Sequence, residues 1–406
     1  MVYILLYFIY FLGHGAYFST LSPYIISAYG ENSTVIFFAS QLGFPLGYFA
    51  SGYISDKIGI IRPLLIITIL IQTPLQFLIY SDLDLPYVMI AATGTRFFFA
   101  FNFQLITIAA LEGGGMVKFG EFRAYGTVGF FLIHALLFFG ENAGFGHINI
   151  GSDSAVFAGK TGCIFLFLSI IPASFIQKKR ISGEKYYFMD AIKILKKPDI
   201  ILFFILSFFF YFSYQVVDYY LGAYLKNAGG MRMVYAAWAL AVILEIPFMP
   251  LSSRIFHFKK HNILFLISTI TGTIRFAILS MDASGIPTIS ILFTQLLHGI
   301  HFTGYYMGSI FRIKNLFPGH LYGTGYGLYI IITASAGGMI GNLIMGKLFH
   351  PTRISEKIIS TGTASHNFTE IFAISMLIHF VLFFCFIILP DIKDSVHNAR
   401  HETNQT

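Results

Sequence analysis

The chain has 406 residues, of which 56% are hydrophobic and 11% charged, and a formal net charge of +7. Soluble globular domains carry about 25% charged residues, so a water-soluble protein is excluded. The basic residues lie in loops on one side of the apolar runs, which argues against a nucleic-acid partner.

Twelve apolar runs of roughly 20 residues follow one another, each long enough to cross the roughly 30 Å hydrocarbon core of a bilayer. The first six are expected at roughly 3–27, 33–54, 63–80, 86–109, 124–141 and 157–177, and the second six at roughly 199–225, 233–253, 262–281, 286–311, 325–349 and 369–389. The first run starts at Met1 and is too long for a signal-peptide core, so it reads as span one. Glycine pairs at helical spacing, Gly43/Gly47 in span two and Gly337/Gly341 in span eleven, predict close helix packing. Cys163 and Cys385 fall inside spans and read as packed hydrophobes, with no disulfide framework and no metal motif. Gly159-Lys160-Thr161 resembles the end of a phosphate loop, but Ser154 stands where its first glycine belongs, so no ATPase is implied. No cofactor and no enzymatic activity are expected.

Between the two sets of spans lies a basic segment, Gln177 to Asp199, with Lys178, Lys179, Arg180, Lys185, Lys193, Lys196 and Lys197. Its second half alternates apolar and basic residues at helical spacing, as a helix lying on an anionic membrane surface would. With the N-terminus inside, 18 Lys and Arg fall in inner loops and tail and five in outer loops. Arg123, Arg254 and Arg312 are among the 18. The positive-inside rule then puts both termini in the cytoplasm. The expected layout is an all-α membrane protein of twelve transmembrane helices in two pseudo-symmetric six-helix bundles. Residues 1–177 form the first bundle, 178–198 a cytoplasmic linker, 199–390 the second bundle and 391–406 a cytoplasmic tail.

The loop between spans two and three reads Gly52-Tyr53-Ile54-Ser55-Asp56-Lys57-Ile58-Gly59-Ile60-Ile61-Arg62. Gly52 permits close helix approach, Asp56 can cap or pair at a helix end, and Gly59 permits a tight turn. This resembles the loop signature of the major facilitator superfamily, and the 6+6 layout is similar to its fold. Gly120-Glu121-Phe122-Arg123, which opens span five, Glu245-Ile246-Pro247-Phe248, Arg275 and Leu297-His298-Gly299 together resemble the phenylpropionate permease-like branch, related to nucleoside and lactose proton symporters. The resemblance implies the fold and proton coupling, and a gating role for Gly52, Asp56, Lys57, Gly59, Arg62 and Arg123. It does not imply a substrate.

Ionisable residues inside spans mark pathways, because burying them costs free energy. Asp218, Glu245, Arg275 and His298 fall in spans seven to ten and form the expected proton-coupling set. A carboxylate that pairs with an arginine in one state and loses it in another takes up and releases a proton. Arg96 cannot be neutralised and needs an anion, from the protein or the substrate. His14, Gln41, Asn102, Gln104, Tyr219 and His301 are further substrate-binding candidates, with Tyr17 and Tyr220 as possible aromatic walls. Lys347 reads as a snorkelling end residue.

The sequence therefore predicts a monomeric secondary transporter of the inner or plasma membrane, taking up a small organic solute with protons by alternating access. Arg96 and Arg275 favour an organic anion, with a sugar or nucleoside as the competitor. From another class, a non-transporting sensor or scaffold has no need to keep charges in lipid.

Overall fold

The computed structural model describes residues 1–142, 154–176, 188–256, 262–281, 288–348 and 366–389, and among these there is no strand. The helices are α1 (Val2–Tyr29), α2 (Ser33–Ile58), α3 (Arg62–Ile79), α4 (Leu85–Asn142), α5 (Ser154–Leu168), α6 (Ile170–Ala173), α7 (Phe188–Leu195), α8 (Pro198–Ile243), α9 (Glu245–Phe256), α10 (Asn262–Leu279), α11 (Thr288–Leu316), α12 (Tyr322–Ile330), a π-helical turn (Ile331–Ser335), α13 (Ala336–Leu348) and α14 (His366–Ile388).

Ten described segments are long and apolar enough to cross a membrane. Two features bring that number to the expected twelve. The 58 residues of α4 would extend about 87 Å as one rod, far beyond a bilayer, and the chain is broken inside it at Gly115 (φ 68°, ψ 180°). Only glycine adopts that conformation without strain, so spans four and five meet at one residue instead of across a loop. The helix α11 falls outside the ten because Gln295, His298, His301 and Arg312 dilute its hydropathy.

Close approaches at glycine reveal the pseudo-symmetry. Span five packs Gly129 against Phe8 of span one, and span eleven packs Gly337 and Gly341 against Phe208 and Phe212 of span seven. Likewise Gly43 and Gly47 of span two sit on Thr93 and Phe97 of span four, and Gly299 of span ten sits on Ala241 of span eight. The same helix pairings recur in both halves, as in a six-plus-six arrangement. The glycine pairs expected from spacing are thus within-half contacts.

Of the charges assigned to loops, Arg123 and Arg312 are buried within helices. Arg123 lies within α4 and is 5% exposed; Arg312 lies within α11, fully buried, with Nη1 donating to Asn262 Oδ1 at 3.0 Å. Helix continuation past Gly115 carries Arg123 inward, and the apolar and aromatic packing of α11 does the same for Arg312. Of the basic segment, the described part forms α7, where Lys193 pairs with Asp190 at 2.8 Å. The segment 178–187 and the tail 391–406 lie outside the described residues.

Candidate functional site

A cavity of about 350 Å³ lies between the halves, a volume within the usual range for small-molecule sites. At one end α2 meets α12. Asp56 Oδ2 accepts from the Thr324 backbone N–H at 2.6 Å and from Thr324 Oγ1 at 2.7 Å. Thr324 lies in the first turn of α12, where backbone N–H groups lack helical partners and the dipole is positive. A carboxylate from one half therefore caps a helix of the other. Gly52 faces Gly323 without room for a Cβ, and Gln104 Nε2 donates to Gly323 O at 2.6 Å. Gly59, left-handed at φ 69°, ends α2 just beyond and returns its N–H to Ser55 O at 2.8 Å. Toward the α1–α2 turn, Phe37, Ser40 and Gln41 of α2 and Ser335 and Met339 of span eleven line the cavity. The cavity is thus closed at the α2–α3 end and extends toward the other.

Span eight is interrupted inside this cavity. Pro247 has no N–H to return to Ile243 O, so α8 stops at Ile243 and α9 starts at Glu245. The break delivers Glu245, 4% exposed, to the cavity wall. Thr127 Oγ1 lies 3.3 Å from Glu245 Oε2, and Arg123 Nη1 donates to Thr127 Oγ1 at 3.1 Å. The guanidinium can only donate, so the threonine accepts from it and gives its own proton to the carboxylate. A cation and an anion from opposite halves are joined through one hydroxyl. Arg123 also rests on the Phe11 ring at 4.4 Å and on Tyr306 at 5.5 Å.

The other walls are mostly aromatic. His14 stacks on Phe99 with centroids 3.7 Å apart, Arg96 lies 5.6 Å from the Phe44 centroid, and Phe18 meets Trp238 edge-on at 5.0 Å. His298 lies 3.5 Å from the Tyr214 hydroxyl. The π-helical turn of span eleven contributes Ala334 and Ser335 to the lining; such turns often occur at functional sites.

The structure therefore brings together Glu245, His298, Arg96, His14 and Gln41, with Tyr17, in one cavity. It adds Arg123, expected at the gate. Other candidates stand elsewhere. Arg275 is fully buried, is not among the described lining residues, and donates from Nη2 to Gln295 Oε1 at 3.4 Å. Asn102 is held in the first half, its Nδ2 donating to Gln72 Oε1 at 2.8 Å and its Oδ1 beside Thr68. Gln104 serves the closed end. His301 faces His379, with Nε2 atoms 3.0 Å apart. The side chains of Asp218, Tyr219, Tyr220 and Lys347 lie outside those described. No group of three or more metal-ligating side chains occurs among the described residues.

Known proteins bear on this geometry. A family model described as the MFS_1 like family matches residues 3–356. The chain belongs to that family. Its fold is that of the major facilitator superfamily, and several solved structures are similar. A nucleoside transporter, NupG, superposes with a TM-score of 0.69 at 16% identity, covering 96% of this chain and 98% of that one. The proton:xylose symporter XylE bound to 6-bromo-6-deoxy-D-glucose gives 0.67 at 15% identity, covering 97% of each chain. The E. coli fucose:proton symporter FucP gives 0.66 at 12% identity, covering 96% of this chain and 98% of that one. No curated protein matches by sequence. At these identities the likeness concerns the fold.

Proposed function

We propose that this MFS_1-like protein is a proton-coupled importer of a small organic anion with a planar or aromatic part. One observation carries the reading: a carboxylate, Glu245, linked through Thr127 to Arg123 of the other half, in an aromatic cavity closed at one end by Asp56. The described lining holds two guanidinium groups, Arg96 and Arg123, against one carboxylate, Glu245. That balance favours an anion, and the surrounding rings favour a flat apolar body. An anion that engages Arg123 weakens its hold on Thr127 and so on Glu245. Glu245 then binds a proton more readily, which links solute and proton movement.

In this reading the α2–α3 end is cytoplasmic and the structure is outward-facing, in the inner or plasma membrane with both termini inside. The units are 1–177 and 199–390, joined by the linker 178–198, in a monomer. Membership of the phenylpropionate permease-like branch belongs to the same proposal. A sugar or nucleoside is the second reading, favoured by the ligands of the similar structures; the aromatic walls suit their faces too.

Uptake into proteoliposomes under an imposed pH gradient tests the reading. Aromatic carboxylates should accumulate and be released when the gradient is collapsed. Accumulation of sugars or nucleosides alone would transfer the assignment to the second reading. No uptake of any class, with protein correctly inserted, would leave a non-transporting role.

A further inference from the structure

A second cavity, of about 630 Å³, lies on the outer face of the first half between α3 and α5, far in character from the central one. Its walls are Phe77 and Thr73 of α3 and Phe157, Lys160, Ile164 and Phe167 of α5, among others. Phe77, Phe157, Ile164 and Phe167 are 46%, 47%, 61% and 53% exposed, so this groove faces the hydrocarbon of the bilayer. Among the described residues, one cation, Lys160, lines it. The Lys160 ammonium lies 5.1 Å from the Phe77 ring centroid. Neither α3 nor α5 carries an acidic residue, and among the described residues no ion pair joins Lys160 to Asp82 or Asp84 in the turn after α3.

A lysine inside a span needs an anion, water or an aromatic face. Among the described residues it has the Phe77 ring and no carboxylate. Lys160 lies six residues into α5 and Phe77 two residues before the end of α3, so both are close to the membrane interface. From Lys160 the same helix face continues through Ile164 to Phe167, about 10 Å down into the bilayer at 1.5 Å per residue. The groove thus has a positive head near the interface and an apolar track beneath it.

We propose that this groove is a binding site for an anionic phospholipid, with the phosphate on Lys160 and one acyl chain along Ile164 and Phe167. The site is independent of the transported solute. Zwitterionic lipid has the same chains but carries its own cation beside the phosphate, which competes with Lys160. The discrimination is therefore electrostatic, and one lysine near a membrane surface gives about a five-fold preference.

The test uses the full chain reconstituted with phosphatidylethanolamine and phosphatidylglycerol and then released for native mass spectrometry. The wild type should retain phosphatidylglycerol over phosphatidylethanolamine by about five-fold relative to the bulk mixture. Lys160→Gln should abolish the preference, and Lys160→Arg should keep it. Ile164→Trp, which fills the track, should lower retention of both lipids. Lys193→Gln, on α7, should change nothing. Equal retention of the two lipids by the wild type, or an unchanged preference in Lys160→Gln, would overturn the proposal.

Discussion

Thr127 reaches across the interface between the halves to Glu245, 3.3 Å away, while its oxygen accepts from Arg123 at 3.1 Å. The contact joins span five to span eight, the two elements that must slide if access alternates. Glu245→Gln imitates the permanently protonated acid. It should abolish accumulation driven by a pH gradient yet preserve counterflow exchange, which needs no net proton movement. Thr127→Val removes the hydroxyl with little change of shape. Since a hydrogen bond to a charged group contributes about 1.5 kcal/mol or more, gradient-driven uptake should fall by about tenfold, and Thr127→Ser should recover it. If Glu245→Gln still concentrates solute, Glu245 is not the carrier, and Asp218 becomes the next candidate.

This link was only half legible in the sequence. Glu245 stands out as an acid in an apolar run, and Pro247 two residues later announces the helix break. Arg123 was masked by its surroundings: Gly113, Gly114 and Gly115 before it, with Lys118 and Glu121 between, read as a loop. The break is one residue, Gly115, and helix on its far side carries Arg123 into the wall. Thr127 gave no signal at all, because its partner is 118 positions away. Asn102 and Gln104 were visible as polar residues in a span, but helical periodicity cannot tell a cavity face from a helix contact. Their partners, Gln72 and Gly323, lie on other elements. His379 follows the same rule that drew attention to His298 and His301, a polar side chain in an apolar run, and only its pairing with His301 needed three dimensions.

Arg96 supplies the second prediction. It lies on the cavity wall beside Phe44, on the first half. If it receives the solute's negative group, Arg96→Gln should raise KM for uptake by about tenfold to a hundredfold, the factor expected from about 1.5–3 kcal/mol for a charged hydrogen bond. Arg96→Lys should be intermediate, because it keeps the charge and loses the planar fork. An unchanged KM with a lowered kcat in both variants would assign Arg96 to the conformational cycle and not to the solute.

The buried pair His301–His379 carries a stability prediction. His379 Nδ1 lies 2.9 Å from Ser375 O, so it holds the proton there and leaves Nε2 as an acceptor. His301 must then donate from its own Nε2. Gly272 makes room for the pair: a Cβ at that position would sit 2.6 Å from His301 Nε2 and 2.7 Å from His379 Cδ2. Gly272→Ala should therefore destabilise by about 1–3 kcal/mol, the usual cost of overpacking, read as a lower Tm in detergent. Gly319→Ala, where nothing lies within 4 Å of the added atom, is the control and should leave Tm unchanged.

Orientation is tested by labelling. The basic segment 178–198 should face the cytoplasm, as the loop charges require. A cysteine at Lys185, in a background without Cys163 and Cys385, should resist a membrane-impermeant maleimide in intact cells and react after permeabilisation. Reaction in intact cells would invert the topology and, with it, the direction in which the cavity opens.

The closed end gives the last prediction. Asp56 accepts two hydrogen bonds from Thr324 at the start of α12, so it acts as a cap supplied by the opposite half. A cap contributes about 1 kcal/mol, and a carboxylate at a helix N-terminus adds up to about 2 kcal/mol where partly buried. Asp56→Asn keeps an oxygen for one donor but loses the charge. The closed-to-open ratio at this end should fall by about fivefold or more, because 1 kcal/mol is a factor of about five in an equilibrium constant. Thr324→Val should act in the same direction, and the double variant should be little worse than either, since both remove one contact. The readout is alkylation of a cysteine at Ile108, a buried residue beside Gly323; it should quicken in both single variants while expression stays near normal. Unchanged alkylation together with unchanged uptake in Asp56→Asn would reduce this contact to passive packing.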